Sequence, residues 1–494
     1  MDKTEKLLSD NLICLILTCF CFILYGKTLS YDITWLDDIY LLVKSKPVLS
    51  DFTNIFSLFV RGVYLHDAPN FMYRPLLNVS FMADTFLNSG NYFFSHFINI
   101  LFHSSAVCCI FFFLRIFFEN RASAFILSLV FAAHPAGSVA ASWIPGRNDS
   151  LLAVFIFSAF FFIEKYRNER KNRYIMLYSF CFACAMFSKE SAIVFPFICA
   201  LWLWIKRKES NIRLKTFSAY SVIPILAWLI LRHFAGLKMS SFDLIGSIKN
   251  IAYLPVVSGK AVFPFFPVIS SAYRNLEYPL VSSLAGAAFF IFSFLFIMKN
   301  RRETPCSHYM PMQVFLFGIS WFFIFLLPTM AAGSNFGSSF FEHRLYIPMA
   351  GLFVILSQIR IPDKFHKSCA VLGLILAAAF SSISFCHSSY YERREIFWPK
   401  FVRENPADFD LFVWTGIFEE ERHLYGSAEY YYKKSLELNP GQPVIHGKLA
   451  QIAYIKGNYE KAEEEAEKER NVYPDNPVLR SLLDRLKQIK QEKM

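Results

Sequence analysis

Two adjacent carboxylates, Asp37 and Asp38, lie in the stretch Tyr31–Leu42, just beyond the first apolar run, Leu12–Tyr25. An acid at a membrane–water boundary loses solvation and needs a reason to be there. One reason is a solvated acidic loop; the other is a site. The remaining ionisable residues decide between them. Arg74, His134, Arg147, Asp149, Lys189, Glu190, Glu342 and Arg344 also fall beside apolar runs. Acids and cations of this kind, gathered on one side of a bilayer, mark a site rather than packing. Two neighbouring acids also raise the question of a divalent metal, which the sequence leaves open.

The elements that must position these residues are membrane helices. Of 494 residues, 55% are apolar, 57 are Phe and only 18% are charged. Repeated apolar runs of bilayer length indicate an all-α polytopic membrane protein. Leu12–Tyr25 leads into Gly26-Lys27-Thr28 without a small-x-small cleavage pattern, so it reads as a retained first helix. Residues 388–494 carry a net charge of −2 and residues 1–387 one of +13. The basic excess sits in short blocks between apolar runs, where it reports orientation rather than a nucleic-acid surface.

Keeping the basic clusters Arg115–Arg121, Lys165–Arg173, Lys206–Lys215, Lys299–Arg302 and Arg360–Lys367 cytoplasmic, with Lys3 and Lys6, gives eleven spans. They are 10–29, 95–115, 122–138, 149–164, 174–188, 190–205, 216–232, 279–298, 312–330, 345–360 and 367–387, with the N-terminus inside and the C-terminus outside. The ten candidate residues named above then all fall on the outer face. Residues 248–271, with Pro255, Gly259, Lys260, Pro264 and Pro267, read as a broken or re-entrant outer segment. His96, Asn99 and His103 share one helix face and predict interhelical hydrogen bonding. Cys181-x-x-Cys184 has no second pair and predicts packing.

The last hundred residues differ. Pro406, Pro440 and Pro474 are 34 residues apart, the period of the tetratricopeptide repeat. Units at 409–442 and 443–476 are expected to be helical hairpins, with a capping helix at 477–490. The domains expected are thus 1–390 in the membrane and an extracytoplasmic 391–494. The hairpins offer a small platform for a protein partner.

The ordered motifs resemble one family. Asp37-Asp38 is followed by Tyr73-Arg74-Pro75-Leu76, His96…Asn99…His103, Phe131-Ala132-Ala133-His134-Pro135, Gly146-Arg147-Asn148-Asp149, Lys189-Glu190 and Glu342-His343-Arg344-Leu345-Tyr346-Ile347-Pro348. This series resembles the transmembrane and tetratricopeptide-repeat O-mannosyltransferases, within the GT-C glycosyltransferases. The repeat array is shorter than in the animal members, and Asn148 and Ser191 depart from the pattern. The resemblance implies transfer of a hexose such as mannose from a polyprenyl or dolichyl phosphate to a protein or glycolipid, on the non-cytoplasmic face. It implies Asp37 or Asp38 as the base, and Arg74, Arg147, Lys189 and Arg344 as ligands of the donor phosphate. His134, Asp149, Glu190 and Glu342 would support those cations. Segment 248–271 would guide the lipid tail. Alternatives are an oligosaccharide ligase or polymerase using a lipid diphosphate, and a non-enzymatic repeat scaffold. The compact array favours a bacterial inner membrane over an endoplasmic reticulum membrane.

Overall fold

The computed structural model describes residues 9–66, 71–88, 90–209, 214–237, 244–269, 279–303, 311–331, 341–359, 361–474 and 476–493. Lys3, Lys6 and Arg360 of the sequence reading lie outside them, as do the last two residues of segment 248–271. All regular elements among the described residues are helices, and the chain forms two units, Met1–Arg394 and Glu395–Met494.

In the first unit the helices are, in order, α1 (Asp10–Tyr25), α2 (Lys46–Leu49), α3 (Pro75–Leu87), α4 (Phe93–Leu114), α5 (Arg121–Ala133), α6 (Pro135–Ser142), α7 (Arg147–Glu169) and α8 (Asn172–Ser188). They continue with α9 (Phe195–Ile205), α10 (Leu214–Phe234), α11 (Leu244–Ile251), α12 (Leu254–Val262), α13 (Pro279–Glu303), α14 (Pro311–Met330), α15 (Met349–Leu356) and α16 (Asp363–Ser388). Local chemistry sets several ends. Ser9 caps α1 by accepting from the Leu12 N–H, and Asn120 caps α5 through the Ala122 N–H.

Among the described residues seven helices are long and apolar enough to cross a bilayer, and an eighth span arises if α5 and α6 are taken together. The chain is therefore a multi-pass integral membrane protein. Ile223, Leu226, Leu229 and Ile230 of α10 are exposed, as a lipid-facing surface requires.

Expected spans 174–188 and 190–205 fall on the 17-residue α8 and the shorter apolar helix Glu190–Ile205, whereas expected span 345–360 holds only the eight-residue α15 and needs correction. The expected span 122–138 is also not straight. His134 precedes Pro135, which disfavours the helical region for His134, and α5 and α6 meet at 63°. Segment 248–271 is broken as expected, into α11 and α12.

An aromatic cluster fills the centre: Trp321, Phe113, Phe157, Phe160 and Phe195 are buried, and the Phe113 and Trp321 rings lie 4.8 Å apart. Helices α14 and α15 meet backbone to backbone, because a Cβ on Gly318 would lie 2.7 Å from the Gly351 carbonyl oxygen. His103 provides the interhelical bonding expected of its face. Its Nε2 is 3.2 Å from the Ala132 carbonyl, which can only accept, so Nδ1, 2.7 Å from the Tyr346 hydroxyl, accepts in turn.

The second unit holds most of α17 (Arg394–Glu404), then α18 (Phe409–Glu421), α19 (Tyr425–Leu438), α20 (Ile445–Ile455), α21 (Tyr459–Val472) and α22 (Pro477–Lys493). Helices α18 and α19 pack closely at Gly416, where a Cβ would lie 2.6 Å from the Tyr432 ring. Ala450, Ala453, Ala462 and Ala466 bring α20 and α21 together, and Leu479, Leu482 and Leu486 of α22 close that cluster.

Candidate active site

The acid pair sits where the chain leaves the first span. Trp35, two residues before Asp37, has φ of 62°. A left-handed bulky residue is strained, and such strain persists only where its surroundings hold it. Here the Arg394 guanidinium lies over the Trp35 ring at 4.8 Å. The two acids differ. Asp38 is buried and its Oδ2 accepts from the Thr34 N–H at 3.2 Å, from the Thr34 hydroxyl, and from Trp143 Nε1 at 3.4 Å. Its Oδ1 is buried without a hydrogen-bond partner. Asp37 is half-buried, and the charge that acts on it is Arg74.

Burial raises both carboxyls. Asp38 is pushed up to about 6 by burial, with the Thr34 and Trp143 hydrogen bonds opposing and the neighbouring Asp37 charge adding. Asp37 is also raised by burial, and Arg74 partly offsets this. Two adjacent acids titrate as a pair, so these shifts belong to the unit.

Three cations from separate segments gather about His343, and one of them, Arg74, also acts on Asp37. Arg74, just ahead of α3, directs Nε to Glu190 Oε2 at 2.8 Å, while Glu190 Oε1 accepts from the Tyr73 N–H at 2.8 Å. Lys189, in the turn after α8, contacts Asp149 Oδ1 at 2.6 Å and Asn148 Oδ1 at 3.2 Å. Burial lowers Lys189 from the usual range, and Asp149 opposes this. Arg344, half-buried, lies over the Phe341 ring at 5.7 Å. Buried His343 connects the three. Its Nε2 is 3.7 Å from Asp149 Oδ2, and burial followed by the charges of Lys189, Arg344 and Arg74 keeps the imidazole neutral. The supporting acids Asp149 and Glu190 thus hold Lys189 and Arg74 in place.

Other expected site residues do different work. Arg147 is wholly buried. Its Nε donates to Asn99 Oδ1 at 2.7 Å, Nη1 to Ser80 Oγ at 3.2 Å, and Nη2 to Asp84 Oδ2 at 2.5 Å and the Ser95 carbonyl at 2.7 Å. Phe81 covers its face at 4.8 Å. A cation already neutralised and enclosed cannot meet a phosphate, which corrects its expected role: it clamps α3 and α4 to the start of α7. Gly146, just before it, lets the turn fold back on α6, since a Cβ there would be 2.5 Å from the Val139 carbonyl oxygen. His134 does not support a cation. Its Nδ1 accepts from the Ala136 N–H and its Nε2 donates to the Ala261 carbonyl, each at 3.2 Å. Glu342 supports a different cation from those expected: Lys260 of α12, at 3.1 Å, both side chains being about 3% exposed.

The sequence reading missed Asp84, Lys260, Trp143, Thr34 and His343 as members of this region. A lone acid in the apolar run Phe81–Leu87 was the signal for Asp84. Among the described residues no group of three or more His, Cys, Asp or Glu converges to hold a metal ion.

A family model described as dolichyl-phosphate-mannose-protein mannosyltransferase matches residues 82–234. That stretch includes Arg147, Asp149, Lys189 and Glu190, and leaves the acid pair, Arg74 and Arg344 outside it. The chain is similar to protein O-mannosyl-transferase TMTC1 of Mus musculus, with 26% identity over 200 residues, covering 37% of this chain and 21% of that protein. It is 28% identical to TMTC3 of Homo sapiens over 133 residues, covering 26% and 14%. The chain thus covers about a fifth or less of the length of these relatives. Among solved structures, ArnT from Cupriavidus metallidurans bound to undecaprenyl phosphate has a TM-score of 0.46 at 13% identity, covering 88% of this chain and 80% of that one. AglB from Archaeoglobus fulgidus, in complex with an inhibitory peptide and a dolichol-phosphate, has a TM-score of 0.47 at 14% identity, covering 87% and 60%.

Proposed function

We propose that this protein is a membrane glycosyltransferase that moves a hexose, mannose in the first instance, from a polyprenyl or dolichyl phosphate to an acceptor hydroxyl on the non-cytoplasmic face. The observation that carries the reading is the group formed by Arg74, Lys189 and Arg344 about neutral His343, with the acid pair on its Arg74 side. Packing needs no such group. A reaction that must remove a proton and release a phosphate needs both parts. The similarity to O-mannosyl-transferases agrees with this.

Asp37 is the better base of the pair. It is half-exposed and faces Arg74, whereas three donors occupy one oxygen of Asp38. The acceptor oxygen bonds to sugar C1 as the bond from C1 to the phosphate oxygen breaks. The hydroxyl proton passes to Asp37, and the bonding electrons leave with the lipid phosphate. The terminal nitrogens of Arg74, the Lys189 ammonium and Arg344 steady that charge. The exposed Phe265 and Phe266, beside α12, suit a role in guiding the lipid tail. The hairpins α18–α19 and α20–α21 fit two tetratricopeptide repeats with α22 as the cap. A groove of about 80 Å³ with Gly447, Lys448, Gln451 and Asn476 on its walls offers a place for a partner. The membrane favoured is the bacterial inner membrane.

The test is transfer of label from radiolabelled dolichyl-phosphate mannose to acid-insoluble protein in membrane vesicles. Asp37→Asn is expected to lower transfer by about 10²–10⁴-fold, with a smaller loss for Asp38→Asn. Full transfer by the double variant would sink the site. Transfer from a lipid-diphosphate oligosaccharide only would sink the donor class.

A further inference from the structure

Trp143 stands between the two halves of the site. It lies in the turn between α6 and Arg147, and is 4% exposed. Its indole Nε1 donates to Thr34 Oγ1 at 3.1 Å and to Asp38 Oδ2 at 3.4 Å. The Thr34 hydroxyl, so engaged as an acceptor, turns its own proton to the same Asp38 oxygen. The indole ring meets the cation-bearing turn. It stacks on Phe341 with centroids 6.0 Å apart and planes 8° from parallel, and its centroid is also 6.0 Å from that of His343. Phe341 in turn lies beneath Arg344. Its own backbone is held too, since the Trp143 carbonyl accepts from Asn99 Nδ2 at 2.9 Å and Asn99 is itself fixed by Arg147.

We infer that Trp143 is a positioning residue for the reaction, its N–H fixing the orientation of the acid pair while its ring fastens that pair to the Phe341–Arg344 turn. The inference rests on the reading of Asp37 and Asp38 as the proton-accepting unit. A planar donor held in both directions leaves Asp38 one orientation, and so directs its unpartnered Oδ1 away from the indole. Phe in place of Trp keeps a six-membered aromatic ring for the stack but removes the N–H together with the rest of the pyrrole ring, so Thr34→Val serves as the second variant. The titratable groups whose fields reach Asp38 are Asp37 and Tyr92, with His343 across the indole. None of these changes in Trp143→Phe. The lost bond had favoured the ionised pair, so its removal raises the pair's apparent pKa.

The test uses the full chain in vesicles with dolichyl-phosphate mannose as donor, and measures kcat, donor KM and their pH dependence. Trp143→Phe is expected to lower kcat on the order of tenfold. Donor KM should stay within about twofold, because the phosphate cations are untouched. The acid limb of the rate profile should move to higher pH. Thr34→Val, which removes the hydroxyl donor to the same oxygen, should move the limb in the same direction; it carries the test if Trp143→Phe does not accumulate. An unchanged kcat and acid limb in Trp143→Phe, with Asp37→Asn inactive, would overturn this inference and leave the proposed function standing. Full activity in the Asp37→Asn, Asp38→Asn protein would instead overturn the reading beneath it.

Discussion

The two units use ion pairs in opposite ways. In Met1–Arg394 the pairs Arg147–Asp84 and Lys260–Glu342 are at most 3% exposed. In Glu395–Met494 a single carboxylate, Glu429, takes up Lys433, Lys456 and Lys461, all three lysines 36% or more exposed. A buried pair recovers little beyond its desolvation, yet losing one partner leaves a stranded charge. A surface pair gives little and is lost cheaply. The first arrangement fixes geometry where a site must be built to fractions of an ångström. The second joins one helical hairpin to the next where small shifts cost nothing.

The difference should be largest at Arg147. Arg147→Met strands Asp84 and leaves Asn99, Ser80 and the Ser95 carbonyl without their donor, and is expected to cost about 4–5 kcal/mol. Thermal unfolding in detergent would show it, and adding Asp84→Leu should restore much of the loss. If the single variant melts like the parent, the clamp is no clamp. Lys260→Met should cost about 3 kcal/mol by the same measurement, because Glu342 has fewer other ties, and Glu342→Gln should rescue it in part.

At the other end, Glu429→Gln is expected to cost ~1 kcal/mol or less, read as faster amide exchange across α19–α21. Hydrogen bonds from Lys456 and Lys461 hold the Glu429 carboxyl down at about 2. Its folded value lies below the unfolded 4.5, so its contribution is complete above pH 4.5 and fades as pH falls toward 2. In Glu429→Gln that part of the acid dependence should vanish. A loss as large as that at Arg147 would erase the contrast between the units.

Much of the arrangement was legible because the chemistry of a bilayer is restrictive. Runs of apolar residues marked most of the helices, and charged residues at their ends singled out Asp37, Asp38, Arg74, Lys189 and Arg344 as candidates. Residue type could not say which way a charge faces. Arg147 reads like a phosphate ligand in Gly146-Arg147-Asn148-Asp149, but Asp84, 63 positions earlier, had already claimed it. Lys260 lay within a segment identified only as broken, and its partner Glu342 is 82 positions away. The stretch 345–360 was apolar enough for a span, yet Glu342–Leu345 forms a tight turn and Pro348 precedes an eight-residue helix. Pair partners distant in sequence carry no periodic signal.

Helix α6 behaves as a ruler. Its eight residues span about 12 Å. One end is pinned where His134 meets the Ala261 carbonyl, and the other delivers Trp143 to Thr34 and Asp38. Each residue added to it would advance Trp143 by ~1.5 Å and swing it through about 100°. Its length is therefore a quantity that neither insertion nor deletion can alter without putting the two ends out of phase.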